Sequence, residues 1–307
     1  MQHLDFLGWK WWFVLPSLIL LLAGVASLLV KRGPLYSIDF KGGAQMEVLW
    51  EGTPPIERIR AAVSSQLKGV SVVAAHDLSG SNEVLASAEL PSGGDLTGVR
   101  QTMDQALSTI SSQYSVRNFE VIGPQSGRDL RRQALMATAG ASGGMLLYLS
   151  YRFRPAYGVA AVLAMAHDAL ITIGLLSLLN QEISLTVVAA LLTLVGYSMN
   201  DTIVVFDRVR ENRRTREREP LFETINCSIN QTLSRTILTS RLTLLTALSL
   251  LVLGGPVLHG FSLALVIGIV VGTFSSIFIA SPILLAWEDR NARWGAAHKS
   301  LPVGGVQ

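Results

Sequence analysis

The hydrophobic pattern of this chain changes period twice along its length. Residues 11–30 form one apolar run, long enough to cross a hydrocarbon layer about 30 Å thick, and Trp9, Trp11 and Trp12 sit at its start as an interfacial belt would. From 31 to 130 the apolar runs shorten and charges become frequent. Residues 44–50 alternate like a strand; Ile56, Ile59, Val63 and Leu67 recur at helical spacing. Residues 70–76 and 83–90 read as two strands around the turn 79–82. Leu96, Val99, Met103, Leu107 and Ile110 mark a second amphipathic helix, and 116–122 a last strand. Strand, helix, strand, strand, helix, strand is the order of a ferredoxin-like α+β domain.

Beyond Arg132 the long apolar runs return, at 133–151, 157–179, 183–206, 236–253 and 258–287. The first of these is rich in Gly, Ala and Ser, which permits close helix packing. The last is expected to end or kink near Pro282. Residues 220–233 read as a polar, partly amphipathic helix lying against the membrane. The fold class predicted is therefore a membrane α-helical protein with six transmembrane helices and a ferredoxin-like domain between helices one and two. The divisions are 1–30, 31–130, 131–290 for a five-helix bundle, and a tail at 291–307.

Composition agrees with this pattern. Half of the residues are hydrophobic and 15% are charged, against about 25% charged in soluble domains; mean hydropathy is +0.41. The net charge of +3 does not point to nucleic acid, because the basic residues gather in short loops. Arg208, Arg210, Arg213, Arg214, Arg216 and Arg218 follow the fourth span, which places that loop in the cytoplasm. Counting spans from there puts Arg152, Arg154, Arg290, Arg293 and both termini inside, and 31–130 on the outer face. Lys31, Arg32 and Arg128–Arg132 run against the rule, but they flank a folded domain, where it is weaker. The single cysteine, Cys227, forms no intramolecular disulfide, and no cleavable leader is expected before the first span.

The fourth span carries Asn200 and Asp201 within an apolar run. A membrane carboxylate is costly, so it is a functional-site candidate by default. Asp201 lies one to two turns above the boundary marked by Asp207 and Arg208, where it could take up and release a proton. Arg235, just before the fifth span, is the natural counter-charge, or else an arginine snorkelling to the headgroups. His167 and Asp168 interrupt the third span and could join Asn200 in a polar network, structural or relaying. Asp207 and Arg208 read as solvated interfacial charges. His76 and Asp77 read as a surface pair beside a turn.

Several stretches resemble the SecF branch of the SecD/SecF family of protein-export membrane proteins. They are Asp39-Phe40-Lys41-Gly42-Gly43, the run Val121-Ile122-Gly123-Pro124-Gln125-Ser126-Gly127, the His167-Asp168 pair, residues 196–212 and residues 228–236. Ser126 and Arg241 depart from the usual pattern, where apolar residues are more common. The resemblance implies an RND-type, proton-driven subunit of the bacterial inner membrane. It would be no enzyme, with no cofactor or metal and the proton gradient as its energy source. The expected partners are SecD as heterodimer, the SecYEG channel, YajC and the translocating preprotein, which the complex draws outward after SecA has driven it in. Asp201 and Arg235 would form the proton relay. Arg241 has no assigned role; it could snorkel or pair with Asp168 or Asp207.

Two other readings compete. An RND-type small-molecule exporter is disfavoured by the small single outer domain. An intramembrane aspartyl protease would use Asp168 and Asp201 as a pair sharing a proton. Their expected offset in depth, and the absence of a Gly-x-Gly-Asp pattern, argue against it.

Overall fold

The computed structural model describes residues 4–76, 82–90, 96–111, 113–153, 155–216 and 219–299. Asp77, most of the turn at 79–82, Arg154, Arg218 and the tail from 300 lie outside them. Helix α1 (Lys10–Val30) is the first apolar run, and it leaves most of its surface exposed. It leans on α6 (Pro155–Leu178) through Gly24 and Gly174: a Cβ on either would stand 2.7 Å from the other's Cα. Ser27 and Ser177 hydroxyls meet at 2.9 Å just above, and the Lys31 amine donates to the Ser177 carbonyl and the Asn180 side chain.

The chain then builds an α+β domain. After the short α2 (Ile38–Lys41) come β1 (Gly43–Trp50), α3 (Ile56–Ser64), β2 (Ser71–His76), β3 (Asn82–Ala88), α4 (Leu96–Ser108) and β4 (Tyr114–Ile122). The strands form one sheet in the order β2-β3-β1-β4, and every neighbouring pair is antiparallel. This is the ferredoxin-like arrangement read from the pattern. The alternation in β1 sends Ala44, Met46, Val48 and Trp50 to one face, where they pack with Ile59 and Val63 of α3 and Met103 and Leu107 of α4.

Two glycine-bearing runs tie this domain to the membrane part. Gly42 has φ +80°, a conformation that suits glycine, and a Cβ there would stand 2.7 Å from Pro124 Cα. A Cβ on Gly127 would in turn stand 2.9 Å from the Gly42 nitrogen. The stretch leaving α2 and the first turn of α5 (Pro124–Arg152) therefore pack backbone against backbone. Phe40 is buried with Leu176, Ile183, Val187 and Ala264. The Ile183 N–H donates to the Leu35 carbonyl at 2.6 Å, and the Ser37 N–H donates to the Ile183 carbonyl at 3.1 Å.

The remaining helices are α7 (Leu185–Thr215), α8 (Leu221–Leu253), α9 (Gly255–Ser275), a π-helical turn (Ser276–Ala280) and α10 (Ser281–Lys299). Among the described residues, five helical segments are long and apolar enough to cross a membrane: α1, α6, α7, α8 and the continuous stretch Gly255–Arg290. The sixth expected span, α5, has 29 residues but is less apolar, because it begins with Arg128, Asp129, Arg131 and Arg132 and continues in small residues. Its Gly140, Gly143 and Gly144 meet nothing within 4 Å, so the close packing expected there is not made among the described residues.

Two other expectations change. Residues 221–233 do not form a separate helix on the membrane surface; they are the first turns of a single 33-residue α8. No Gly or Pro interrupts that stretch, and its Ile225 and Ile229 are buried with Phe206 and Val209. Near Pro282 the helix does not end: it continues into α10, and the irregularity expected there is a π turn over Ser276–Ala280, just before a proline that has no N–H for the carbonyl four residues back.

Candidate functional site

Helix α7 lies against α6, α8 and α9, and small residues let it come close. A Cβ on Gly272 of α9 would stand 2.9 Å from the Ser198 Cβ, and one on Gly268 would overlap the Leu194 side chain. The N-terminal end of α7 is capped twice. Ser184 accepts from the Val187 N–H at 3.2 Å, and the Asp39 carboxylate of α2 accepts from the Leu185 N–H at 2.7 Å. Capping of this kind satisfies N–H groups that the helix cannot, and favours negative charge at the positive end of its dipole. Asp39, at the entry to the α+β domain, thus anchors the helix that carries Asn200 and Asp201.

Asp201 is 2% exposed. Its Oδ2 accepts from the Ser240 hydroxyl of α8 at 3.3 Å. The Ser240 oxygen lies 2.9 Å from the Thr273 hydroxyl of α9. The carboxylate is therefore held by one long hydrogen bond at the junction of three helices. Among the described residues it has no ion pair within 4 Å. Arg235, on the exposed side of α8, is near enough to act on Asp201 electrostatically without touching it.

Asp168 belongs to a second cluster. Its Oδ2 accepts from Ser198 at 2.5 Å, and its Oδ1 lies 2.9 Å from His167 Nδ1. His167 Nε2 is 2.6 Å from the Ser17 hydroxyl, so the cluster joins α1, α6 and α7. A small cavity with about 10 Å³ of space for water centres adjoins Asp168, Thr172 and Ser198, enough for roughly one water. Asn200, expected in this network, is instead exposed and makes no side-chain hydrogen bond among the described residues. Ser198 takes its place, because two residues along a helix turn a side chain by about 200°.

The depth offset expected between the two aspartates is also smaller than the sequence implied. Asp168 meets Ser198, which is three residues, or ~4.5 Å of rise, from Asp201. The two carboxylates have different partners: Asp168 accepts from Ser198 of α7 and Asp201 from Ser240 of α8. They share no hydrogen bond, and the geometry does not form an aspartyl-protease pair.

The sequence did not single out Ser198, Ser240, Thr273 or Ser17. Hydroxyls in apolar helices commonly bond to the carbonyl four residues back, as Thr193 does to Ala189 and Thr246 to Leu242. Only packing tells which of them turn away to meet a carboxylate.

The C-terminal end of α7 and the N-terminal end of α8 are latched. Asn212 donates to Ser228 and Gln231, each at 2.8 Å, and Arg213 pairs with Glu288 at 3.0 Å. Asn226 and Asn230 bind the backbone of Phe6 and Leu4. The run 228–236 thus fastens the N-terminal segment and the end of α7. Asp207 pairs with Arg152 at 3.4 Å and Arg208 with Glu211 at 2.6 Å, so Asp207 is not a partner for Arg241.

Residues 102–290 match the family described as protein export membrane protein SecD/SecF, C-terminal. A SecF protein translocase subunit from Koribacter versatilis is 41% identical over 96% of this chain and 94% of its own length. The chain belongs to the SecF branch of the SecD/SecF family of protein-export membrane proteins. Within that family, SecF from Escherichia coli O157:H7 is 38% identical over 92% of this chain and 87% of its own length. The SecDF subunit of Thermus thermophilus is 40% identical over 91% of this chain, which covers 38% of that longer protein. A crystal structure of SecDF from Thermus thermophilus, titled a translocon-associated membrane protein, superposes with a TM-score of 0.82 at 37% identity. That alignment spans 94% of this chain and 39% of the other. The SecF chain described here is thus a multi-pass membrane protein whose fold is shared with one part of a SecDF protein.

Proposed function

We propose that this SecF chain works with a separate SecD chain in the bacterial inner membrane, using the proton gradient to complete preprotein export after SecA-driven entry into the SecYEG channel. YajC would be a further subunit of the assembly. The termini lie in the cytoplasm and the domain 31–130 in the periplasm. The fused SecDF relatives support the pairing, since this chain is similar to only part of them.

Asp201 carries the reading. It is buried in an apolar helix, held by one long hydrogen bond, and has a cation nearby that does not neutralise it by contact. Such a group binds a proton when Arg235 is distant and yields it when the guanidinium approaches, since a nearby cation favours the charged form. Any rearrangement that moves α8 against α7 then couples proton passage to helix movement. The Ser240–Thr273 pair would report the same movement to α9.

The test uses inverted membrane vesicles with a preprotein already engaged in the channel. Asp201→Asn should retain co-purification with SecD and lose the part of export that depends on the gradient. Arg235→Leu should show the same defect. Full gradient dependence in Asp201→Asn would refute the relay. Reduced abundance as the only effect of Arg235→Leu would leave that residue a snorkelling arginine.

A further inference from the structure

Arg241 is a charged residue in the middle of an apolar helix that the site does not use. It lies twelve residues before the end of α8 at Leu253, ~18 Å along a helix crossing a layer about 30 Å thick. Charges at such depth almost always meet a partner or a wet cavity. Among the described residues Arg241 meets no such partner. It is exposed, and among the described residues it forms no ion pair or side-chain hydrogen bond. The span carboxylates are turned elsewhere: Asp168 to His167 and Ser198, Asp201 to Ser240, Asp207 to Arg152. Ser240, the neighbouring residue, points into the bundle, so Arg241 points out of it. Around it the same face presents Leu238, Leu242 and Leu245, each about 60% exposed.

We infer that this face of α8 docks against a span of the SecD partner, and that a carboxylate on that span pairs with Arg241. The inference rests on the SecD pairing proposed above. Charge complementarity chooses the occupant: lipid tails cover the leucines equally well but offer the guanidinium nothing at that depth, whereas a helix can bring an acidic side chain. A second copy of this chain would bring another Arg241 and, among the described residues, no carboxylate on the matching face of α8. The pair fixes the register of the two halves beside the helix that bears Ser240 and Arg235, because a desolvated ion pair tolerates little sliding.

The experiment co-expresses the full chain, with Cys227→Ser, and tagged SecD. Arg241→Cys is combined with single cysteines stepped along the SecD spans. Disulfide formation at one depth, next to an Asp or Glu of SecD, is the expected result. Arg241→Leu should lower recovered SecD at least fivefold, Arg241→Lys should keep most of it, and Arg241→Glu should be restored by reversing the cross-linked acidic residue. The inference is overturned if the thiol introduced by Arg241→Cys joins only a second copy of this chain or no SecD position, or if Arg241→Leu recovers SecD at the parent yield. Failure of the parent chain to recover any SecD would overturn the pairing as well, so the two failures are distinguishable.

Discussion

Substituting Gly272 by valine tests whether α9 holds α7 as closely as the structure requires. A Cβ at this position would stand 2.9 Å from the Ser198 Cβ and 3.2 Å from its Oγ. Comfortable carbon contacts fall at about 3.5–4.0 Å. The backbones must therefore part by roughly half an ångström to one ångström, or Ser198 must leave its rotamer, and in either case its 2.5 Å bond to Asp168 lengthens or breaks. Overpacking a tight site costs about 1–3 kcal/mol. Displacing the hydroxyl entirely leaves Asp168 Oδ2 without its donor, while Oδ1 keeps His167, and adds about 1–3 kcal/mol more. A melting shift of about 2–4 °C per kcal/mol makes the drop several degrees. Cys227 is the one thiol in the chain, half-buried on α8, so a thiol-reactive dye reports unfolding from a single site. Gly196→Ala is the control. A Cβ there meets nothing within 4 Å, and alanine is the better helix former by about 1 kcal/mol, so its melting point should hold or rise. Equal melting points for Gly272→Val and Gly196→Ala would refute the close α7–α9 contact.

The α+β domain and its junction with α7 supply further tests. Asp39→Ala removes a cap from α7 and should cost about 1 kcal/mol in the same assay; an unchanged melt would show that Ser184 suffices. Glu182, in the loop before α7, has its carboxyl pushed up, chiefly by burial, with Asp39 adding to the rise and Ser71 and Lys41 opposing it. A carboxyl raised on folding stabilises the docked domain below its ordinary range and loses that contribution as pH rises through the folded value. Protection of β2 amides against hydrogen exchange should therefore fall as pH rises from about 4.5, and Glu182→Gln should flatten the profile; protection that grows with pH in the parent would reverse the sign. Tyr114 donates to Asp104 at 2.8 Å, and burial followed by that neighbour pushes its phenol up to about 12. Its neutral form contributes stability below the ordinary tyrosine range, lost as pH climbs through the raised value. Phenolate absorbance of the folded protein up to pH ~11 should be the same for the parent and Tyr114→Phe; a smaller amplitude in the variant would show that Tyr114 ionises normally.

The periods in the sequence determined a good deal. Alternation in 44–50 and the helical spacing of Ile59 and Val63 are local consequences of backbone geometry, so the sheet-and-helix domain was legible before any contact was known. The same holds for the apolar runs, whose length is set by the bilayer, and for Asp201 as a costly group within one. Tertiary structure decided what that group touches. Ser240 and Ser198 look alike in sequence, and so do Asn200 and Thr273; which hydroxyl reaches a carboxylate depends on how α6, α8 and α9 are rotated about α7. That rotation is fixed by close approaches at Gly268 and Gly272, between residues some seventy positions apart. It also brought Asp39 to the start of α7 and turned Arg241 outward. A one-dimensional pattern specifies which face of a helix is apolar, but not which neighbour will cover it, because packing free energy depends on pairs of surfaces that the chain brings together only on folding.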